Sequence, residues 1–525
     1  VARAQPAVGG SGPSRFYGAA ALLAASVLLS RLLGFLREVV LAAQLGAGAE
    51  ADAYQAAFQL PDILNYLLAG SALSIAFIPF YTRVRATAGE RSAERLFAVV
   101  LGTTSVLAVA VTGLLWWQAD AAVGFLFNDF PPETRALTAR LTRIVLPAQV
   151  FFVAGGVVRA VLMAHDRFAT QALAPLLYNL GIITGGLLFG ATLGAEAFAW
   201  GALVGAFAGP LLAPLIDARR AGLRLGFTVA PRDPVFWRYL WVAAPLMLGL
   251  SLLTVDEWYD RIFGDALAEG SIAHLAYARK LMLLPVAVVG QAIATAALPT
   301  LSRLWAEGRR DELERTLLET LQVGLGLALL AGGACLILAF PAVQLVYERG
   351  EFTRLDSIVT ASLLAVFAFA VPAWITQQIA VRAFYARGDT WRPMLLATAV
   401  AVAAFPLYQR SGDALGAEGL ALAGVMAMGA NALLTLGLAR ALHGGPALWR
   451  LLLSFARGFV VTWAAAMAAQ LVLLWRALSG SVLVDLLLAA LAYGAVALAG
   501  ALLIGDAPLR RFLRRRIGRL MRFSR

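Results

Sequence analysis

The chain is 525 residues long, 61% apolar and only 14% charged, with a mean hydropathy of +0.78 and a formal charge of +12. Ordinary soluble proteins are roughly 45–50% apolar, and a soluble fold cannot cover such an excess because its surface needs polar atoms. One cysteine, Cys335, and three scattered histidines (His165, His274, His443) exclude a disulfide framework and argue against a metal centre.

The chain begins with a Gly/Pro/Ala-rich stretch, Val1–Ser14, that reads as a disordered tail, and no signal-peptide pattern is evident. Beyond it, about fourteen apolar stretches reach the ~20 residues a bilayer requires. They are residues 17–44, 54–80, 95–117, 137–163, 170–191, 195–216, 236–264, 271–303, 314–345, 357–386, 393–409, 418–441, 449–475 and 481–504. An all-α integral membrane protein is expected.

The first stretch holds Ser30-Arg31-Leu32-Leu33-Gly34-Phe35-Leu36-Arg37-Glu38. A charge at membrane depth costs about 2.5–3.5 kcal/mol on insertion scales. Each arginine therefore faces a wet cavity or snorkels to an interface. At ~100° per residue Arg31 and Glu38 share a face while Arg37 lies ~120° away, so one shared cavity requires a bend near Gly34. A guanidinium in such a cavity suits phosphate, which it holds through two parallel hydrogen bonds.

Arginines recur after the even-numbered stretches: Arg83, Arg85, Arg91 and Arg95, then Arg219, Arg220, Arg224, Arg232 and Arg238, then Arg303, Arg309, Arg310 and Arg315, then Arg440 and Arg450. These clusters between apolar runs are the pattern of cytoplasmic loops, not of a nucleic-acid surface, and they place both termini in the cytoplasm.

In the seventh stretch Asp256 and Asp260 lie four residues apart on one face. They suit a cation or proton site, or an internal salt bridge to Arg261 or to another helix. The eighth stretch carries Arg279 and Lys280, the only lysine, of which one is expected to serve a cavity. The tail from Ala507 to Arg525 interleaves seven arginines, from Arg510 to Arg522, with Leu509, Phe512, Leu513 and Ile517. It reads as an amphipathic helix lying on anionic lipid, or as a plain topology anchor. No Ser/His/Asp grouping or phosphate-cradling Gly-x-x-x-x-Gly-Lys loop is present. A transporter is the expected class, not an enzyme, and no cofactor is expected.

Several stretches in order resemble the MurJ (MviN) family of lipid II flippases, within the multidrug/oligosaccharidyl-lipid/polysaccharide exporter superfamily. They are Ser30–Glu38; Ala51-Asp52-Ala53-Tyr54 with Phe58-Gln59-Leu60-Pro61; Ala76-Phe77-Ile78-Pro79; Asp166-Arg167-Phe168 through Pro175 and Asn179; Tyr277–Pro285 with Ala297-Leu298-Pro299; Glu348–Thr353; and Arg382–Thr390. The resemblance implies two six-helix lobes around a central cavity, residues 15–217 and 218–445. Two further helices within 446–506 would line a lipid groove, followed by the basic tail 507–525.

It also implies alternating access that carries an undecaprenyl-pyrophosphate-linked peptidoglycan precursor across the bacterial inner membrane, driven by membrane potential or an ion gradient. Arg31, Arg37, Asp52 and Lys280 match the family's cavity residues, with Ser30, Glu38 and Arg279 beside them. The chain is expected to act as a monomer. It departs from some relatives at Asn65 or Tyr66, at Gly70 and at Leu283, and residues 395–408 offer only Thr398 and Tyr408 for a sodium site. A sister exporter of another polyprenyl-linked saccharide is the alternative.

Overall fold

The computed structural model describes residues 13–69, 71–248, 252–476 and 481–523, and no strand occurs among them. The expected tail lies outside the described residues up to residue 12, and Pro13 opens the first helix, Pro13–Leu45.

The chain is an all-helical, multi-span membrane protein. Among the described residues nine helices are long and apolar enough to cross a bilayer, or ten if Arg354–Ala368 and Ala370–Tyr385, bent by 43°, form one span. Helices nonetheless occupy every apolar stretch expected from the sequence. Trp391–His443 runs for 53 residues but breaks at Gly416 (φ 62°, ψ −140°), a backbone conformation that favours glycine, and so contains the eleventh and twelfth stretches.

The first stretch carries three charges. The second is divided into Gln59–Leu64, a widened turn at Asn65–Ala69 and Ser71–Ala88. The seventh comprises Pro234–Leu248 and the acidic Leu252–Gly264. Other widened turns, Phe207–Leu212 and Val286–Gly290, contain Pro210 and follow Pro285. Proline removes a ladder donor and its ring forces the preceding turn open.

The chain forms two compact units. One takes the residues up to Leu45 together with Ala56–Leu248, and the other takes Gly46–Gln55 and Gly249–Arg525. In the first, Pro13–Leu45 lies along Ala169–Leu193. The latter meets Ala195–Ala206 backbone to backbone, through Gly181 and Gly185 on one helix and Gly201 and Gly205 on the other. A Cβ on Gly181 would stand 2.6 Å from the Gly201 carbonyl oxygen, so only small residues permit this packing.

The segment after Arg220 docks on Glu90–Trp117. There Thr228 N donates to the Ala98 carbonyl (3.0 Å) and Ala230 N to Thr103 Oγ1 (3.2 Å). This brings Pro234–Leu248 onto Ser71–Ala88, where Tyr239 meets Phe77 edge-on at 5.6 Å. Residues 218–248, assigned to the second lobe from sequence, thus pack in the first unit.

In the second unit Arg310–Ile337 is the central helix. Tyr493 Oη donates to the Leu330 carbonyl (2.6 Å), and Gln322 Nε2 donates to Ser454 Oγ (3.1 Å). The basic tail forms the helix Ala507–Phe523. Its start is held by an Arg457–Asp506 ion pair at 2.8 Å and by Leu509 over Gly326.

Candidate functional site

In the first unit the helix Pro13–Leu45 is continuous through Gly34. Gly34 faces the Asn179 amide, 3.9 Å from where a Cβ would stand, an ordinary van der Waals distance. Arg37 donates to Asn179 Oδ1 (3.4 Å) and pairs with Glu38 at 2.5 Å. Asn179 in turn donates to the Pro175 carbonyl (3.0 Å), which fixes its amide. Glu38 is 2% exposed, Arg37 is partly buried, and Arg31 and Ser30 lie one to two turns away with Arg31 exposed. The nine residues Ser30–Glu38 therefore hold two guanidinium groups against one carboxylate.

In the second unit Arg279, on Ser271–Pro285, is 2% exposed and pairs with both Asp256 and Asp260 on Leu252–Gly264. Tyr408 Oη donates to the other oxygen of Asp256, and the Arg279 guanidinium lies over the Phe367 ring at 4.6 Å. Gly424 admits this cluster, since a Cβ there would stand 2.6 Å from Asp256 Oδ1. Of the sequence alternatives, the salt bridge to another helix is thus present, with Arg279 as the partner. The guanidinium fills the place between the carboxylates that a cation would take. Among the described residues no group of three His, Cys, Asp or Glu side chains could hold a metal.

Lys280 points elsewhere and is one-third exposed. Its Nζ lies 3.8 Å from Glu257 Oε1, beside a small cavity of about 30 Å³ lined also by Gln55 and Arg261, space for about one water. Of the adjacent pair, Lys280 is the residue with access to open space.

Asp52 is 3% exposed and accepts hydrogen bonds from the backbone of Gly270 (2.6 Å) and Ala273 (2.7 Å). It caps the N-terminus of Ser271–Pro285 from a distant segment, and the carboxylate complements the orphan donors and the helix dipole there. Tyr277 Oη, donating to the Gly46 carbonyl (3.0 Å), ties the same segments together.

An apolar groove of about 340 Å³ lies in this unit between the Arg310–Ile337 and Leu448–Arg476 helices and their neighbours, walled by Leu325, Leu329, Phe369, Leu433, Phe455 and Phe459.

Sequence reasoning weighed Tyr408 only for a sodium site and passed over Gly424, and also Arg159, half-buried on Ala148–Ala164 with its Nε lacking a hydrogen-bond partner among the described residues. Arginine inside an apolar run was the signal for Arg159. At the loop joining the fourth and fifth stretches Arg167 is bound to Asp217 (2.6 and 3.2 Å), whose hydrogen bonding and charge raise its already high guanidinium pKa.

The helical arrangement is shared with solved transporters. A multidrug resistance MATE family transporter of the MOP superfamily, in its inward-facing conformation, aligns with a TM-score of 0.64 at 16% identity, over 78% of this chain and 94% of that one. The lipid II flippase MurJ in an inward closed conformation aligns at 0.76 and 21% identity, over 91% and 98%. The fold is that of a multi-span membrane transporter.

The family model described as lipid II flippase MurJ matches residues 41–493. A probable lipid II flippase MurJ of Rhizobium meliloti is 30% identical over 79% of this chain and 78% of its own length. One of Rhizobium tropici is 31% identical over 74% and 76%. The chain belongs to the MurJ family, a family of transporters and not of enzymes.

Proposed function

We propose that this protein moves lipid II, the polyprenyl-pyrophosphate-linked peptidoglycan precursor, from the inner to the outer leaflet of a bacterial inner membrane by alternating access. The observation that carries the reading is the Ser30–Glu38 segment, two arginines against one carboxylate in a largely apolar helix. Such a site matches the chemistry of a pyrophosphate. We assign direct contact with the cargo to Arg31, Arg37 and Ser30, and the same role in the second unit to Lys280. Glu38 orients Arg37, while Asp52 and Arg279 hold the helix that bears Lys280. The Asp256/Asp260 cluster, with its excess carboxylate, exchanges a proton if it exchanges any ion. The apolar groove suits a polyprenyl chain. Both termini and the Arg83–Arg95 loop are cytoplasmic on this reading, the basic tail lies on anionic lipid, and the protein works as a monomer.

Complementation of a strain depleted of its own flippase, scored by lipid II reaching the outer leaflet, tests the proposal. The wild-type chain should restore growth, Arg31→Ala and Arg37→Ala should each fail at normal expression, and Lys280→Arg should succeed. Growth supported by both alanine variants would leave snorkelling as the account of the two arginines.

A further inference from the structure

We infer that the C-terminal helix completes a second binding site, one that takes the phosphate headgroup of an anionic glycerophospholipid. A cavity of about 500 Å³ lies among the helices Gln291–Ala306, Arg310–Ile337 and Ala507–Phe523. That is the size of small-ligand sites and far larger than the voids of a packed interior.

Its lining is mixed: Ile293, Val323 and Phe512 are apolar, Arg511, Arg515 and Arg516 are basic, and three threonines add neutral polar groups. A headgroup joined to acyl chains has this mixture. Arg511 and Arg515 are four residues apart and share a helix face, and Arg516 stacks on Phe512 at 5.7 Å. The one acid in the lining is Glu319, which meets Arg511 at 3.1 Å and is also approached by Arg315 at 3.4 Å. Three lining arginines against one carboxylate leave the lining positive.

Basic pockets between spanning helices bind phospholipid headgroups for this reason, and the planar guanidinium fork fits a phosphate bidentately. The tail is then more than a coat on the leaflet: lipid phosphate bridges it to the two helices behind. Arg510 and Arg514 belong to the same helix but not to the lining. They separate a built site from general surface charge.

The test uses the full chain in phosphatidylcholine nanodiscs with spin-labelled phosphatidylglycerol as probe, reading the immobilised lipid fraction. An arginine near a membrane surface is worth about fivefold in lipid association. Arg515→Gln with Arg516→Gln should therefore lower phosphatidylglycerol association at least ~10-fold. Arg510→Gln with Arg514→Gln, matched in charge but outside the lining, loses only the general surface attraction and should lower it several-fold less than the lining pair does. Glu319→Gln removes no arginine and should raise association, which a purely structural role for Glu319 would not do. Equal losses from the two arginine pairs, no rise with Glu319→Gln, or displacement of the probe by inorganic phosphate as readily as by unlabelled phosphatidylglycerol would each overturn the inference.

Discussion

Neutralising Asp260 tests how the second unit manages its buried charge. Two carboxylates share one guanidinium there, and Asp260 Oδ1 has no hydrogen-bond partner among the described residues. Asp260→Asn keeps an acceptor for Arg279, removes the repulsion between Asp256 and Asp260, and leaves a balanced Arg279–Asp256 pair. Stability should be unchanged or slightly higher. Arg279→Met does the opposite and strands two buried carboxylates. Breaking a buried pair in this way costs about 3–5 kcal/mol. At roughly 2–4 °C per kcal/mol for a large domain, the melting temperature should fall by roughly 6–20 °C. Cys335, the single cysteine, is partly buried, so a thiol-reactive fluorogenic dye reports unfolding in detergent without further engineering. A drop for Asp260→Asn as large as that for Arg279→Met would refute the reasoning, because the second carboxylate would then be needed for something other than Arg279.

Gly424→Ala places a methyl 2.6 Å from Asp256 Oδ1, and differential scanning of the purified protein should show a loss of about 1–3 kcal/mol. Asp52→Ala leaves the Gly270 and Ala273 amides without their acceptor, costing about 1–3 kcal/mol for each buried donor; Asp52→Asn, which keeps one acceptor oxygen, should lose about half as much in the same thermal assay. Arg85→Cys in a Cys335→Ala background should stay unlabelled by a membrane-impermeant thiol reagent applied to intact cells, and labelling from outside would invert the proposed topology.

The residues legible from sequence were those whose chemistry conflicts with their surroundings. Arg31, Arg37 and Glu38 stand out because lipid penalises them, and Asp256 and Asp260 because helical spacing puts them on one face. Their partners were not legible. Asn179 is 142 positions from Arg37, and Tyr408 is 152 from Asp256, and no local pattern reports a contact at that range. Asp52 shows the same limit more sharply. It entered the site only through the resemblance, and the helix it caps begins more than two hundred residues later. The apolar stretches themselves were all found as helices, since hydrophobic length is a local property. The packing of residues 218–248 was not, because it depends on backbone bonds from Thr228 and Ala230 to a helix well over a hundred residues upstream.

The two units treat charge at membrane depth in opposite ways. Ser30–Glu38 carries a formal +1, from Arg31 and Arg37 less Glu38, with Arg31 exposed. The Asp256–Arg279–Asp260 cluster carries a formal −1 and is closed from solvent on every side chain. A cluster so buried holds helices together and is inaccessible to a large anion, whereas an exposed net cation is available to one. On the proposed function this difference has a consequence in an electric field. A charge moved fully across 100 mV gains or loses about 2.3 kcal/mol, and an inside-negative potential favours the empty, positive site near the cytoplasm. A bound pyrophosphate neutralises the site, to which Lys280 adds its own charge, so the loaded protein loses the inward bias and can turn outward, while the field resets the empty protein inward.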